Sequence, residues 1–304
     1  YMKIIHVSKK YTEKKMNTYA NTFVSTSQIV QIIRENADVY GDDGKLLAKF
    51  RKKVLPQKAL AQFYDSTYSF TLKAVTANRG DATGSKQRNL RENPRVCSAI
   101  LGYFDRWAPK QKIQFRKAGI KTPLEIRETR FSQEQPDDFK KTFPLVQRIH
   151  DQYKKVVPSH FKRQNKKARQ TPFTIPKTAF TTITTNINFQ TAIHKDRGDD
   201  EEGFGNLVVI ERGAYKGGET CLPQYGIGFD VREGDILFMD VHEWHGNLPM
   251  VKKDKDAVRL SVVCYLRKKV WERSKQYTAK MKQKHLNTMK RIKNNAGEYT
   301  RKKL

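Results

Sequence analysis

From Thr171 onward the texture of the chain changes in a way that few folds accommodate. The stretch TPFTIPKTAFTTITTNINFQTAIHKD is dominated by β-branched and aromatic residues, and Gly-rich turns punctuate the sequence that follows it. Such side chains suit a pleated, half-buried surface, and Gly, Asn and Asp clusters supply the reversals between strands. Strands are expected at 181–194, 206–211, 219–222, 226–231, 235–240 and 259–267. Short strands at this spacing predict a sandwich or a jelly roll. The first 170 residues read as mixed structure. Ile29, Val30, Ile32 and Ile33 predict a short helix within 27–36. A longer helix is expected to start near Pro136, Asp137 and Asp138 and to run, kinked at Pro144, toward Val157. Its Val146, Ile149 and Tyr153 fall at helical spacing and are expected to pack on a sheet. The basic continuation at 161–170, FKRQNKKARQ, reads either as an exposed loop or as a phosphate-contacting edge.

Charge narrows the class of partner. Sixty Lys and Arg stand against 31 Asp and Glu, a formal charge of +29, which points to a polyanion, with nucleic acid the first candidate. A well-solvated basic surface is the competing reading. The segment 267–304 carries fourteen Lys and Arg against Glu272 and Glu298 alone; a helix that frays at its end is expected, serving either as an electrostatic clamp or as a solvated terminus. Cys97, Cys221 and Cys264 form no CxxC pair, so neither a disulfide framework nor a zinc ribbon is expected. The opening YMKIIHVSKKYTEKK has no apolar signal core, and no run of eighteen apolar residues occurs, so an intracellular protein with no membrane partner is expected.

His194-Lys195-Asp196 closes the long β-like run, and a second His-rich element, DILFMDVHEWHGNLP, follows about fifty residues later. A His-x-Asp pair alone is weak evidence, since a surface ion pair has the same pattern. On an extended strand, residues two apart share a face, so both side chains would point the same way. Two histidines and one carboxylate on one face of an octahedral iron leave three adjacent positions open, two for a keto acid and one for O₂. His242 and His245 compete for the third ligand position. Arg259 opens the last strand fourteen residues after His245, and a guanidinium there suits a carboxylate bidentately. Ser261, two residues on, would face the same way and add a hydroxyl. Trp244 reads as packing in preference to base stacking. The glycines of Lys216-Gly217-Gly218-Glu219 read as a turn entering a strand.

The stretches TTITTNINFQTAIHKDRGD, YKGGETCLPQYGIGFDVREGDILFMDVHEWHGN and RLSVVCYL together resemble the TET/JBP family of 2-oxoglutarate oxygenases. They are most similar to the thymidine-hydroxylase domain of the base J-binding proteins and their viral relatives. The likeness covers 171–267, and NRGDATG at 78–84 is similar to an upstream element of the same family. The resemblance implies an α+β fold with a double-stranded β-helix (jelly-roll) core at 171–267. A helical and mixed extension at 1–170 would pack on that core, and 268–304 would form the basic C-terminal helix, all one compact catalytic unit. It implies Fe(II) held by His194, Asp196 and His245, 2-oxoglutarate held by Arg259 with Ser261, and O₂ as co-reactant. Asn188 and Arg79 are weaker candidates near the cosubstrate or base. Asn188 lies an even six residues before His194, so an unbroken strand would point both inward. An Asn satisfied within the core is the other reading.

The implied reaction is hydroxylation of the 5-methyl group of a pyrimidine in DNA, either thymine or 5-methylcytosine, on a base flipped out of the stack. A monomer associated with DNA, nuclear in a eukaryote, is expected. The remaining readings are an oxygenase acting on another alkylated nucleobase or a protein side chain, and a non-catalytic DNA-binding relative.

Overall fold

The computed structural model describes residues 2–74, 80–84, 96–107, 109–117, 119 and 124–301. The N-terminal part contains β1 (Lys3–Val7), α1 (Glu13–Tyr19), β2 (Gln31–Ile33), β3 (Ala37–Gly41), β4 (Leu46–Arg51) and α2 (Gln57–Lys73). There follow β5 (Cys97–Phe104), α3 (Pro109–Lys117), β6 (Arg127–Glu128), α4 (Arg130–Glu134), α5 (Pro136–Val156) and α6 (Pro158–Ala168). The β-rich half comprises β7 (Thr182–Ile187), β8 (Gly205–Arg212), β9 (Tyr215–Gly217), β10 (Thr220–Leu222), β11 (Ile227–Phe229) and β12 (Ile236–Met239). It ends with β13 (Gly246–Asn247), β14 (Met250–Lys252) and β15 (Val258–Tyr265), before α7 (Lys268–Ser274) and α8 (Ala279–Arg301).

A nine-stranded sheet in the order β1-β3-β4-β12-β8-β15-β7-β5-β6 faces a four-stranded sheet in the order β13-β10-β11-β2. The alternation of side chains along each strand divides the large sheet between two cores. Leu260, Val262 and Cys264 of β15, Val208 and Ile210 of β8, and Ile236 and Phe238 of β12 point toward α2, α5 and α6. The intervening Val209, Leu237 and Met239 point to the other side, where they meet Leu222, Ile227 and Phe229 of the small sheet. This is the two-layer jelly-roll arrangement, with helices on one outer face. Five strands of the large sheet come from the first 170 residues, so its hydrogen-bond ladders run through both halves of the sequence.

Helix α5 carries the helix-to-sheet contact as its spacing predicts: Phe139, Val146, Ile149 and Tyr153 are buried, and Pro144 sits within it. Tyr153 is fully buried, with its ring stacked against Phe238 (centroids 5.7 Å apart) and Phe180 (6.3 Å). Its hydroxyl accepts the Phe204 N–H at 2.9 Å and donates to Gln164 Oε1 at 3.3 Å. Tyr153→Ala is therefore expected to cost about 3–5 kcal/mol, the range for deleting a large buried aromatic. Urea unfolding would measure it, and a loss below 1 kcal/mol would contradict the packing role.

Two expectations are corrected. Residues 27–36 are not a helix but a single 3-10 turn, Thr26–Gln28, followed by β2, which pairs in parallel with β11. β-branched side chains fit a pleat better than a helical turn, and here Ile33 enters the core while Val30 stays 73% exposed. Residues 161–170 are not a loop: most belong to α6, which buries Phe161, Gln164 and Ala168 and leaves Lys162, Arg163 and Lys166 in solvent. The basic tail is helical and docked on the body. His285 Nε2 lies 2.7 Å from the Ile126 carbonyl oxygen, and Met289 and Ile292 pack with Trp107 and Phe115.

Candidate active site

Strand β7 ends sooner than the β-branched run suggests. Asn188 adopts a left-handed φ of 50°, a conformation Asn tolerates better than most residues. Its side chain turns back onto the start of β15, where Oδ1 accepts the Arg259 N–H at 2.7 Å and Nδ2 donates to the Ala257 carbonyl at 3.2 Å. Asn188 thus closes a strand and is not among the residues that line the cavity below, which corrects the inward orientation expected for it. The parity argument fails because the strand is broken at Asn188 itself. Arg79 lies outside the described residues, as does the basic segment 86–95 beside NRGDATG, which the sequence offers equally as a DNA contact or a solvated helix face. Of NRGDATG, Ala82 reaches the cavity, and its carbonyl accepts the Ala192 N–H at 3.0 Å.

Beyond the break, His194 pairs with His245 in an isolated antiparallel bridge whose two N–H···O bonds are both 2.9 Å. Asp196 is fixed by its own N–H to the Val241 carbonyl at 2.9 Å. The two imidazole centroids are 4.3 Å apart. His194 Nε2 is 3.4 Å from Asp196 Oδ1, and His245 Nε2 is 3.5 Å from Asp196 Oδ2. One ligand atom from each of the three residues lies within 4.8 Å of the others, so the group could hold a metal ion. His194 Nδ1 sits 2.8 Å from the Ala192 carbonyl and His245 Nδ1 2.9 Å from the Glu243 carbonyl. A carbonyl can only accept, so each Nδ1 carries the proton and each Nε2 presents its lone pair toward the cluster, the tautomer a metal requires. His242 points elsewhere: its Nε2 lies 3.2 Å from the Asp200 carbonyl oxygen. The choice left open by the sequence therefore falls on His245 as the histidine in the cluster.

The cluster lines a cavity of about 230 Å³ whose wall includes Asn186 of β7 and Arg259 and Ser261 of β15. Arg259 is only 6% exposed, and burial pushes its pKa down against the pull of Tyr215 and Glu211. Glu211, its cross-strand neighbour, is engaged by Arg232 at 3.2 Å. Among the described residues no carboxylate forms an ion pair with Arg259. An uncompensated buried cation is costly, and its placement in a cavity beside a metal cluster fits an anionic ligand. Gly218, at φ +78°, permits this placement, since a Cβ there would lie 3.0 Å from Arg259 Cδ and Nε. Ser261 Oγ accepts from Asn186 Nδ2 at 3.3 Å, and Asn186 Oδ1 is buried with no hydrogen-bond partner.

The sequence reading missed Asn186, the Thr184–Tyr265 hydroxyl pair (3.0 Å) and Arg267, whose Nε donates to Asp105 Oδ1 at 2.8 Å; all four of these lining residues face the cavity. Their signal was the two-residue period of β7 and β15, which puts Thr184 with Asn186 and Arg259 with Ser261, Val263 and Tyr265 on one wall. Trp244 is buried packing, as expected.

A jelly roll that gathers two histidines and a carboxylate beside a buried arginine that no carboxylate among the described residues pairs with has the architecture of a non-haem iron oxygenase of the 2-oxoglutarate class. A family model described as the oxygenase domain of the 2OGFeDO superfamily, Tet_JBP, matches residues 113–268, and the chain belongs to that family. It is 32% identical over 216 residues to thymine dioxygenase JBP1 of Trypanosoma brucei brucei, covering 70% of this chain and 24% of that protein. It is 34% identical over 170 residues to the bifunctional helicase and thymine dioxygenase JBP2 of Leishmania major, covering 56% of this chain and 14% of the relative. The chain thus spans a quarter or less of the length of these relatives. Among solved structures, NgTET1 in complex with 5mC DNA superposes with a TM-score of 0.54 at 13% identity, covering 86% of this chain and 94% of that one, which shows a shared fold.

Proposed function

We propose that the chain is an Fe(II)- and 2-oxoglutarate-dependent dioxygenase that hydroxylates the 5-methyl group of a pyrimidine in DNA, with thymine the preferred base. The observation that carries the reading is the buried Arg259 guanidinium, without a carboxylate of its own among the described residues, in the same cavity as the His194, Asp196 and His245 cluster. A dicarboxylate such as 2-oxoglutarate answers both features, one end for the metal and the other for the arginine fork. The named relatives are thymine dioxygenases, which supports thymine over 5-methylcytosine.

In this reading His194, Asp196 and His245 hold the iron through two Nε2 atoms and a carboxylate oxygen. Iron, when bound, supplies activation of O₂ coupled to decarboxylation of 2-oxoglutarate, so that one oxygen atom enters succinate and the other a methyl C–H bond, with CO₂ released. The chain's own groups do the rest. Arg259 and Ser261 fix the distal carboxylate, and the backbone carbonyls of Ala192 and Glu243 keep both imidazoles in the ligating tautomer. A methyl group inside a stacked duplex cannot approach this cluster, so the nucleotide must be extruded. The formal charge of +29, with the exposed cations of α6 and the tail, supports phosphate contacts that hold the flanking duplex. Such an enzyme acts wherever its DNA resides.

The test is a paired assay of purified protein with Fe(II), 2-oxoglutarate and O₂ on thymine-only and 5-methylcytosine-containing duplexes, with nucleosides quantified by mass spectrometry. 5-Hydroxymethyluracil is expected as the main product. Succinate formation that no DNA stimulates, with neither hydroxymethyl base detected, would sink the reading.

A further inference from the structure

Helix α1 lies far from the metal cluster in sequence and beside it in space. Its first residue, Glu13, directs one carboxylate oxygen, Oε1, at two donors: Lys195 Nζ at 2.8 Å and Trp244 Nε1 at 2.9 Å. Lys195 stands between His194 and Asp196, and Trp244 immediately precedes His245. The other oxygen, Oε2, receives a longer bond of 3.4 Å from Gln224 Nε2, which also donates to the Tyr11 carbonyl. The ammonium of Lys195 lies 4.9 Å from the centre of the Trp244 ring, so the three side chains form a closed triangle. Beneath it Met16, Val24, Ile193, Cys221, Trp244 and Leu248 make a separate small apolar core. The chain just after α1 bonds the same segment: Asn21 N–H reaches the Ile193 carbonyl, and Ile193 N–H the Thr22 carbonyl, both at 2.8 Å.

We propose that Glu13 is a positioning residue for the metal centre, clamping from outside the two chain segments that carry the ligands. The proposal rests on the reading of His194, Asp196 and His245 as metal ligands. The two segments already share a backbone bridge, His194 to His245, on the inner side. On that side the backbone sets the register of the two segments, with Asp196 N–H on the Val241 carbonyl at 2.9 Å and Asn247 N–H on the Thr191 carbonyl at 3.1 Å flanking the bridge. The Glu13 carboxylate adds a side-chain tie on the opposite face, where the backbone makes none between Lys195 and Trp244. Lys195 suits the part, because along locally extended chain its side chain leaves on the side opposite to those of His194 and Asp196. Trp244 suits it as well: an indole N–H buried to 4% exposure needs an acceptor, and Glu13 is the one it has. Metal ligands held by outer partners lose about 10–100-fold in affinity when those partners are removed. Glu13 acts one residue further out, on the neighbours of the ligands, so the lower end of that range, about tenfold, is expected.

The experiment measures binding of Co(II) alone to the purified full chain, under anaerobic conditions, from its visible absorption bands and by equilibrium dialysis. Wild type is expected to bind one equivalent. Failure to do so would overturn the metal-site reading and this proposal with it. Glu13→Ala is expected to bind about tenfold more weakly, with altered band positions, at a melting temperature lowered by only a few degrees. Glu13→Gln keeps an oxygen acceptor for Trp244 and should recover most of the loss. Lys195→Met, which removes one donor from a partly exposed position and leaves Glu13 intact, should fall between. Met16→Ala is the control, since it loosens the same helix without touching the carboxylate. Unchanged Co(II) affinity and bands in both Glu13→Ala and Lys195→Met would overturn the clamp. So would a loss in Met16→Ala equal to that in Glu13→Ala, because loosening of the helix alone would then account for the effect.

Discussion

Arg259→Met is expected to move two measurements in opposite directions: the ligand-free protein becomes more stable, and 2-oxoglutarate binding is lost. Stability should rise because the guanidinium is buried, its pKa is depressed chiefly by desolvation, and no carboxylate among the described residues compensates it. A methionine fills much of the same volume without an unpaired charge. Replacing buried charge by packed apolar groups has been worth about 1–4 kcal/mol, and the lower end, a rise of a few degrees in melting temperature, is expected here. Binding should fail because truncating one side of a buried, hydrogen-bonded charge pair costs about 2–5 kcal/mol. At about 1.4 kcal/mol per decade, that is at least roughly 30-fold and up to some thousandfold in the apparent affinity for 2-oxoglutarate. Arg259→Lys keeps the charge and loses the planar fork, so it should remain poor for 2-oxoglutarate. Thermal unfolding with Mn(II), with and without 2-oxoglutarate, reads both effects together, since a ligand that binds only the folded state raises the melting temperature with the logarithm of its concentration over Kd. If the Arg259→Met protein is still stabilised by 2-oxoglutarate as wild type is, the assignment of Arg259 to the distal carboxylate is wrong.

How far the sequence reaches can be seen on particular residues. On β15 the two-residue period survives intact, so Arg259 and Ser261 land on the cavity wall and Leu260 and Val262 in the helix-facing core, as alternation requires. On β7 the same arithmetic stops at Asn188, whose φ of 50° reverses the chain, and the cavity Asn is Asn186. Nothing in the composition of the run TTNINFQ marks which Asn turns the strand and which lines the pocket. The segment at 27–36 failed for a related reason: Ile29, Val30, Ile32 and Ile33 satisfy a helical stripe and a short strand equally well, and the free edge of β11 decides between them. The strands β1, β3 and β4 are short, and they join the sheet only through tertiary pairing, β4 on β12, β3 on β4 and β1 on β3. The Glu13 contacts could not be read at all, because they join residues 182 and 231 positions apart through side chains that carry no motif.

His245→Ala and His242→Ala should separate by orders of magnitude, although the two residues are three positions apart in one loop. The distinction rests on where each ring points. His245 is locked by its backbone bridge to His194 and by its Nδ1 on the Glu243 carbonyl, which leaves Nε2 facing the Asp196 carboxylate. His242 is anchored at its N–H by Asp240 Oδ1 and spends its Nε2 on the Asp200 carbonyl, away from the cavity. Removing His245 takes one of three protein ligands from the proposed iron site and leaves Asp196 with a single imidazole partner. Since loss of even an outer partner of a ligand costs about 10–100-fold, loss of the ligand itself should reduce hydroxymethyl product by more than about 1,000-fold. Removing His242 deletes one hydrogen bond to the Asp200 loop, worth about 0.5–1.5 kcal/mol, and should leave product formation within about tenfold of wild type. Mass-spectrometric product yield at saturating Fe(II), read beside Co(II) binding, checks both. Equal losses in the two variants would mean that the loop's integrity matters more than the ligand set. A His242→Ala protein that binds no metal while His245→Ala still does would transfer the third ligand to the other histidine. The geometry argues against that transfer on a simple ground: to reach Asp196, His242 would have to give up both of its present anchors, while His245 already stands 3.5 Å from the carboxylate.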